Sequence, residues 1–319
     1  MFDESQLVLE ARNVTKKYPA SKGRVLTACS DVSLKFYKGK TLGLVGESGC
    51  GKSTFMRMAI SLEKPTEGRI FFKGEDITDL KGEALRQHRQ RIQMVFQDPA
   101  LSFSPKMKVR DIICEPLLNF KRISKGERDQ TAERLLELVE LPGSFKDRYT
   151  HNMSGGQRQR VAIARALALK PEVILFDEAT SALDVSVQRT IVQLITRLQR
   201  ELDISMGFIC HDLGLVQSLA HQVAVMYLGN IVEVMPGEKI GSQSRHPYTR
   251  AFLDSIFDVN MDFSKEIHSI EGDVPSPLDA PAGCPFCDRC EKAMDICRQK
   301  KPVLQTIEEN HQVACHLIG

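Results

Sequence analysis

The run Gly46-Glu47-Ser48-Gly49-Cys50-Gly51-Lys52-Ser53-Thr54 has the G-x-x-x-x-G-K-[ST] spacing of a loop that holds nucleotide phosphates. Its glycines let successive backbone N–H groups turn toward one anion, and a helix starting at the end of the loop aims its positive end at the same point. Lys52 then neutralises the outer phosphates, and the Ser53 hydroxyl ligates Mg2+. A second cluster closes the apolar run Val173-Ile174-Leu175-Phe176 with Asp177 and Glu178. Asp177 there binds magnesium through its water shell, and Glu178 polarises the attacking water. Met153-Ser154-Gly155-Gly156-Gln157 offers another anion site, because a hydroxyl and free N–H groups converge at a helix start; a plain helix cap uses the same residues. Gln97 ends the run Ile92 to Phe96, within reach of a metal-bound water or a γ-phosphate, and His211 ends the run Ile204 to Cys210. Tyr18 presents a ring that can stack on a purine. Each of these three, taken alone, is an ordinary loop or surface residue.

Short elements must carry these groups. Thr41-Leu42-Gly43-Leu44-Val45 reads as a buried strand before the loop, and Phe55 to Leu62 as a helix after it. Residues 7 to 14 and 31 to 37 alternate apolar with polar around a turn at Ser21-Lys22-Gly23-Arg24, which predicts antiparallel strands with Tyr18 in the loop after the first. Arg69 to Gly74 is a further strand, and Lys81 to Arg91 a solvated helix. From about Leu101 to Leu141 the pattern turns helical, with Ala132, Leu135, Leu136 and Val139 at three- and four-residue intervals. A helix opens at Ser154 and stops before Pro171. Beyond Ser181-Ala182-Leu183-Asp184 comes a helix whose stripe of Val187, Ile191, Leu194, Ile195, Leu198 and Leu202 is core packing. Val223 to Leu228 and Ile231 to Met235, joined by Gly229-Asn230, predict a hairpin.

Composition narrows the class. With 319 residues, 42% of them hydrophobic, the chain can bury one large core or two moderate ones. Lys+Arg 43 against Asp+Glu 41 leaves a net charge of +2, too balanced to mark a nucleic-acid binder. The first residues lack a secretory pattern, and no run approaches the roughly 18 to 20 apolar residues that span a bilayer. A cytosolic, soluble chain is expected. Four of the nine cysteines, Cys29, Cys50, Cys114 and Cys210, are scattered, while Cys284, Cys287, Cys290, Cys297 and Cys315 crowd into the tail. In a cytosolic chain such crowding favours metal over disulfide.

The order of these motifs is distinctive. Tyr18, the phosphate loop, Gln97, Ser154-Gly155-Gly156-Gln157, Phe176-Asp177-Glu178, Ser181-Ala182-Leu183-Asp184 and His211 follow one another in a way that resembles the ATP-binding cassette of ABC transporters, over about residues 7 to 240. Arg245-His246-Pro247-Tyr248-Thr249-Arg250, Gly272 to Leu278, Gly283-Cys284-Pro285-Phe286, Arg289-Cys290, Met294 to Cys297 and Val313-Ala314-Cys315 look like the C-terminal extension of the oligopeptide, dipeptide and nickel importer ATPases. Within that group, Arg86 to Gln97 is more similar to the second, F-type, subunit. Ala179 stands where the family usually has proline, Cys210 where serine is usual, and Cys287 where histidine or another residue is common.

The resemblance implies an α/β phosphate-loop NTPase with an antiparallel β subdomain, an inserted helical subdomain at about 101–168 and a small Cys-rich extension at 241–319. Tyr18 is then the adenine-stacking residue, and Gln97 belongs to the loop that couples nucleotide to the membrane subunits and to the Mg2+ site with Ser53 and Asp177. His211 is the switch histidine. Ser154 and Gly156 serve a partner's nucleotide, and Gly155, Gln157 and Asp184 are counted with them among the nucleotide-binding residues. Cys284, Cys290, Cys297 and Cys315 match positions that hold a 4Fe-4S cluster in several members, with Cys287 a spare or alternative ligand; zinc suits thiolates equally on softness, and unligated thiols remain open. Implied partners are a second ABC ATPase, two membrane permeases and an external binding protein, with the chain peripheral on the cytoplasmic face of the membrane. A nickel or other small-solute importer uses the same motor. A non-transport ABC ATPase would usually carry two fused cassettes or coiled-coil insertions, and this chain has neither.

Overall fold

Leu7–Pro19 and Val25–Tyr37 form a long antiparallel ladder that alternation alone would have ended near Val14. The inner half is held by burial: Val14 faces Val32, both fully buried, and Ala11 faces Ile70 of Glu67–Phe72 on the other side. The outer half is polar and is held by the backbone ladder, with Lys17 opposite Thr27 and Tyr18 opposite Leu26 across a bulged register. Tyr18 therefore lies in a strand, not in the expected loop. With Glu75–Asp76 these strands make a four-stranded antiparallel sheet in the order Val25–Tyr37, Leu7–Pro19, Glu67–Phe72, Glu75–Asp76.

The computed structural model describes residues 2–181, 183–210, 213–255, 275–276, 278 and 281–318. They fall into two units. The first comprises Met1–Tyr37, Thr41–Asp79 and Phe208–Gly319, and the second Lys38–Lys40 and Leu80–Gly207.

In the first unit a further sheet runs Gln305–Glu308, His311–Val313, Asn230–Pro236, Gln222–Tyr227, Thr41–Val45. Thr41–Val45 is parallel to Gln222–Tyr227, and all five of its residues are buried, as the continuous apolar run requires. The expected hairpin is present as Gln222–Tyr227 and Asn230–Pro236. His311–Val313 adds itself antiparallel to Asn230–Pro236, with Glu233 opposite Val313, so the end of the chain is stitched into the sheet of the nucleotide motif. Buried Glu233 fixes this seam. Its carboxylate accepts the Arg245 N–H at 2.7 Å and the His246 N–H at 3.2 Å, and meets His311 Nε2 at 2.8 Å.

In the second unit Ile92–Val95 is parallel to Val173–Asp177, with Val95 opposite Phe176. The helices Val109–Asn119, Arg128–Leu138 and Gly155–Leu167 pack together through Ile112, Ile113, Ala132, Leu136, Val161 and Ala164, all buried. Val185–Leu202 buries Ile191, Leu194, Ile195 and Leu198 of the expected stripe, leaves Val187 half-buried and Leu202 exposed, and ends at Asp203, whose φ is 53°. Among the described residues, no helix is long and apolar enough to cross a membrane.

Candidate nucleotide-binding site

The phosphate loop leaves the buried strand end at Val45 and enters the helix Lys52–Ala59, which begins three residues before the expected Phe55 because Gly51 caps it at φ 109°. A Cβ on Gly51 would lie 2.1 Å from the Ala28 carbonyl oxygen, and one on Gly46, at φ 150°, 2.1 Å from that of Met226. Only glycine fits either place. Lys52 is buried and curls back over its own loop, donating to the carbonyls of Gly46 and Glu47 at 2.8 Å each. Ser48 and Gly49 are exposed at the crest, and Ser53 and Thr54 are half-buried in the first helical turn. Burial raises the Cys50 thiol, although Lys52 opposes the shift, and pushes Cys29 up to about 12.

Two sets of contacts anchor this loop within the first unit. Tyr18 donates its hydroxyl to Glu63, just past the helix, and Lys16 Nζ lies 5.1 Å from its ring centroid. Burial, then Glu63, pushes the Tyr18 phenol up to about 12. At the other end the Glu47 N–H donates to Tyr248 Oη at 3.0 Å, and the Glu47 carboxylate receives both Nη atoms of Arg289 at 3.0 and 3.1 Å. Sequence reasoning missed this second set. Tyr248 and Arg289 stand out only as parts of the tail motifs, and a contact across 242 positions has no local signature.

The acidic pair belongs to the second unit. Asp177 ends its strand almost wholly buried, and Glu178 follows in the left-handed region at φ 48°. Gln97 Nε2 donates to Glu178 Oε2 at 2.8 Å, so the structure brings these two candidates together. The Ser181 N–H and hydroxyl both donate to the Glu178 carbonyl, at 3.1 and 3.0 Å. With its amide NH2 on Glu178, Gln97 keeps its carbonyl oxygen as the atom suited to a hard cation. The hydroxyl of Ser53 and the carboxylate of Asp177 are also the hard oxygen donors that Mg2+ selects.

Ser154 is exposed and caps Gly155–Leu167 through a capping box: its Oγ accepts the Gln157 N–H at 3.3 Å, and Gln157 Oε1 accepts the Ser154 N–H at 3.1 Å. Gly156 is buried, and a Cβ there would lie 2.5 Å from Val187 Cγ1. Asp184 precedes Val185–Leu202 without a side-chain cap bond, and Val185 beside it is 83% exposed. His211 and Ala182 lie outside the described residues.

The tail cysteines are free thiols. Among the described residues no group of three or more His, Cys, Asp or Glu side chains is placed to hold a metal ion, so the described geometry lends the expected metal centre no support. Burial disfavours the thiolate at four of these cysteines. It pushes Cys284 up to about 12, with Cys297, Cys315 and Cys290 adding to the shift, and it raises Cys287, Cys290 and Cys315.

Comparison with known proteins places the chain. The ABC transporter family model matches residues 29–181, and the model "Oligopeptide/dipeptide transporter, C-terminal region" matches 232–297. The chain is 44% identical to the oligopeptide transport ATP-binding protein AppF of Bacillus subtilis, covering 98% of both. It is also 44% identical to the "Probable peptide ABC transporter ATP-binding protein y4tS" of Sinorhizobium fredii, over 98% of this chain and 90% of the relative. Among solved structures, the ATP-binding cassette MJ0796, a dimer with ADP and Pi, matches at TM-score 0.65 and 30% identity over 72% of this chain and 98% of its own. An α/β cassette with an antiparallel sheet, a phosphate loop that only glycine fits at Gly46 and Gly51, and this similarity along its length make the chain a member of the ABC transporter ATPase family, in the branch with the oligopeptide/dipeptide C-terminal region.

Proposed function

We propose that the chain is the ATP-hydrolysing motor of an importer of di- or oligopeptides. The observation that carries this reading is the full-length similarity to peptide-transport ATP-binding proteins, tail region included. Their names favour peptide over nickel. Gly46, Ser48, Gly49, Cys50, Gly51 and Thr54 cradle the phosphates, Lys52 neutralises them, and the adenine stacks on Tyr18. Bound Mg2+ would supply charge neutralisation at the β- and γ-phosphates, held by Ser53, Gln97 and Asp177. Glu178, oriented by Gln97, takes the proton of the attacking water, and His211 contacts the γ-phosphate. Ser154, Gly155, Gly156, Gln157 and Asp184 face the nucleotide of a second ATPase subunit; the exposed helix start at Ser154 and the bare Val185 beside Asp184 support that outward role. The cassette is assigned to 7–240 and the extension to 241–319.

The motor works beneath two permeases that receive peptide from an external binding protein, peripheral on the cytoplasmic face of the membrane. Affinity purification from lightly cross-linked membranes tests this: two permeases and a second cassette ATPase are expected, and ribosomal or DNA-repair components overturn it. We assign a 4Fe-4S cluster to Cys284, Cys290, Cys297 and Cys315. Support comes from the mutual influence of their thiols and from backbone contacts of Phe286, Lys292 and Leu317 that favour the thiolates of Cys284, Cys290 and Cys315. Iron analysis and visible absorption of anaerobically purified protein decide it, and an iron-free, colourless protein refutes it.

A further inference from the structure

Glu47, the second residue of the phosphate loop, is held at three atoms by residues of the C-terminal region. Its N–H donates to Tyr248 Oη, and its two carboxylate oxygens receive the guanidinium fork of Arg289. A bidentate fork fixes orientation as well as charge. The ion pair is sheltered, with the Arg289 side chain 6% and that of Glu47 20% exposed.

The donors are themselves immobilised. Arg289 Nη1 also donates to Tyr227 Oη at 3.4 Å. Tyr227 and Tyr248 are fully buried with ring centroids 4.6 Å apart, and Phe286 lies 5.3 Å from each. Neither Tyr248 nor Arg289 can swing away without opening this aromatic cluster. On the loop side, the Glu47 carbonyl accepts from Lys52, so one peptide segment is pinned on its N–H by the extension and on its C=O by the phosphate-binding lysine. Glu47 also puts a negative charge into a loop whose task is to attract anions, and Arg289 cancels it.

We propose that Arg289 and Tyr248 are positioning residues for nucleotide binding: they fix Glu47 and neutralise its carboxylate, so that the C-terminal extension sets the affinity of the phosphate loop for ATP. The proposal rests on the reading of Gly46 to Thr54 as the ATP site.

The test is equilibrium binding of a fluorescent ATP analogue, MANT-ATP with Mg2+, to the full chain, with thermal melting by circular dichroism alongside. Arg289→Met is expected to weaken binding about tenfold, and Arg289→Lys to recover part of that. Glu47→Gln combined with Arg289→Met is expected to bind more tightly than Arg289→Met alone, since no uncompensated charge is left; a merely structural role gives no such rescue. Tyr248→Phe, which keeps the aromatic packing, is expected to weaken binding several-fold. A folded Arg289→Met chain with native affinity overturns the proposal, as does a double variant no better than the single. Should Arg289→Met fail to fold, native affinity in Tyr248→Phe overturns it. Failure of the unsubstituted chain to bind the analogue at all strikes instead at the ATP-site reading, and is thereby told apart.

Discussion

Glu178 holds a left-handed backbone at φ 48°, a conformation that costs a residue with a side chain about 1–3 kcal/mol. Two Ser181 donors on its carbonyl and Gln97 on its carboxylate hold it there. Such over-determined strain fits a group that must point at one place. Glu178→Gln keeps the shape and removes the proposed base, so turnover in the assembled transporter is expected to fall about 100-fold or more while nucleotide binding persists. Phosphate release at the native rate would remove Glu178 from the chemistry. Gly51→Ala acts earlier: a methyl group 2.1 Å from the Ala28 carbonyl oxygen, at φ 109°, distorts the loop. It should abolish MANT-ATP binding and lower unfolding stability by more than about 1 kcal/mol, read by urea titration.

At the scale of elements, the helix Gly155–Leu167 shows how one residue can serve two ends. Ser154 closes its capping box, and Ser154→Ala should cost about 1 kcal/mol of stability. Ser154→Asp preserves an N-cap acceptor but adds a charge where the partner's phosphates are proposed to sit. It should melt near the native temperature yet lose at least about tenfold in ATPase rate; native hydrolysis would reduce Ser154 to a cap. Elements buried on both faces were legible in the sequence, because Thr41–Val45 and Val173–Asp177 each leave an unbroken apolar run. Leu7–Pro19 was legible only as far as Val14, since its outer half is held by backbone pairing that leaves no side-chain period. The phosphate loop, Gln97 and the acidic pair were readable from residue type and local spacing. The tail cysteines were legible as a cluster in sequence, but whether their sulfurs meet depends on the paths of three separate segments, which spacing does not carry.

At the scale of the molecule, the C-terminal region is part of the nucleotide unit. His246 caps the helix Pro247–Asp254 by accepting the Tyr248 N–H on Nδ1, at 1% exposure. Burial lowers its pKa to about 4, against the opposing pull of the Ala314 backbone. The unfolded chain binds this proton near pH 6.5 and the folded chain only near 4, so stability is full above 6.5 and is lost as the pH falls toward 4. The ceiling on that loss is about 3 kcal/mol. His246→Asn retains a capping side chain and removes the imidazole. The slope of unfolding free energy between pH 4 and 6.5 should flatten in that variant, and an unchanged slope would rule His246 out as the source of the acid sensitivity. No sequence window contains both halves of the Glu47–Arg289 pair, which is why it was invisible before the fold was known. Its separation of 242 residues also has a meaning in time. A ribosome adding about 5–20 residues per second makes Glu47 roughly 12–48 s before Arg289. Throughout that interval the phosphate loop exists without this restraint, so on the role proposed for Arg289 the nascent chain holds ATP more weakly until that residue has been made and docked.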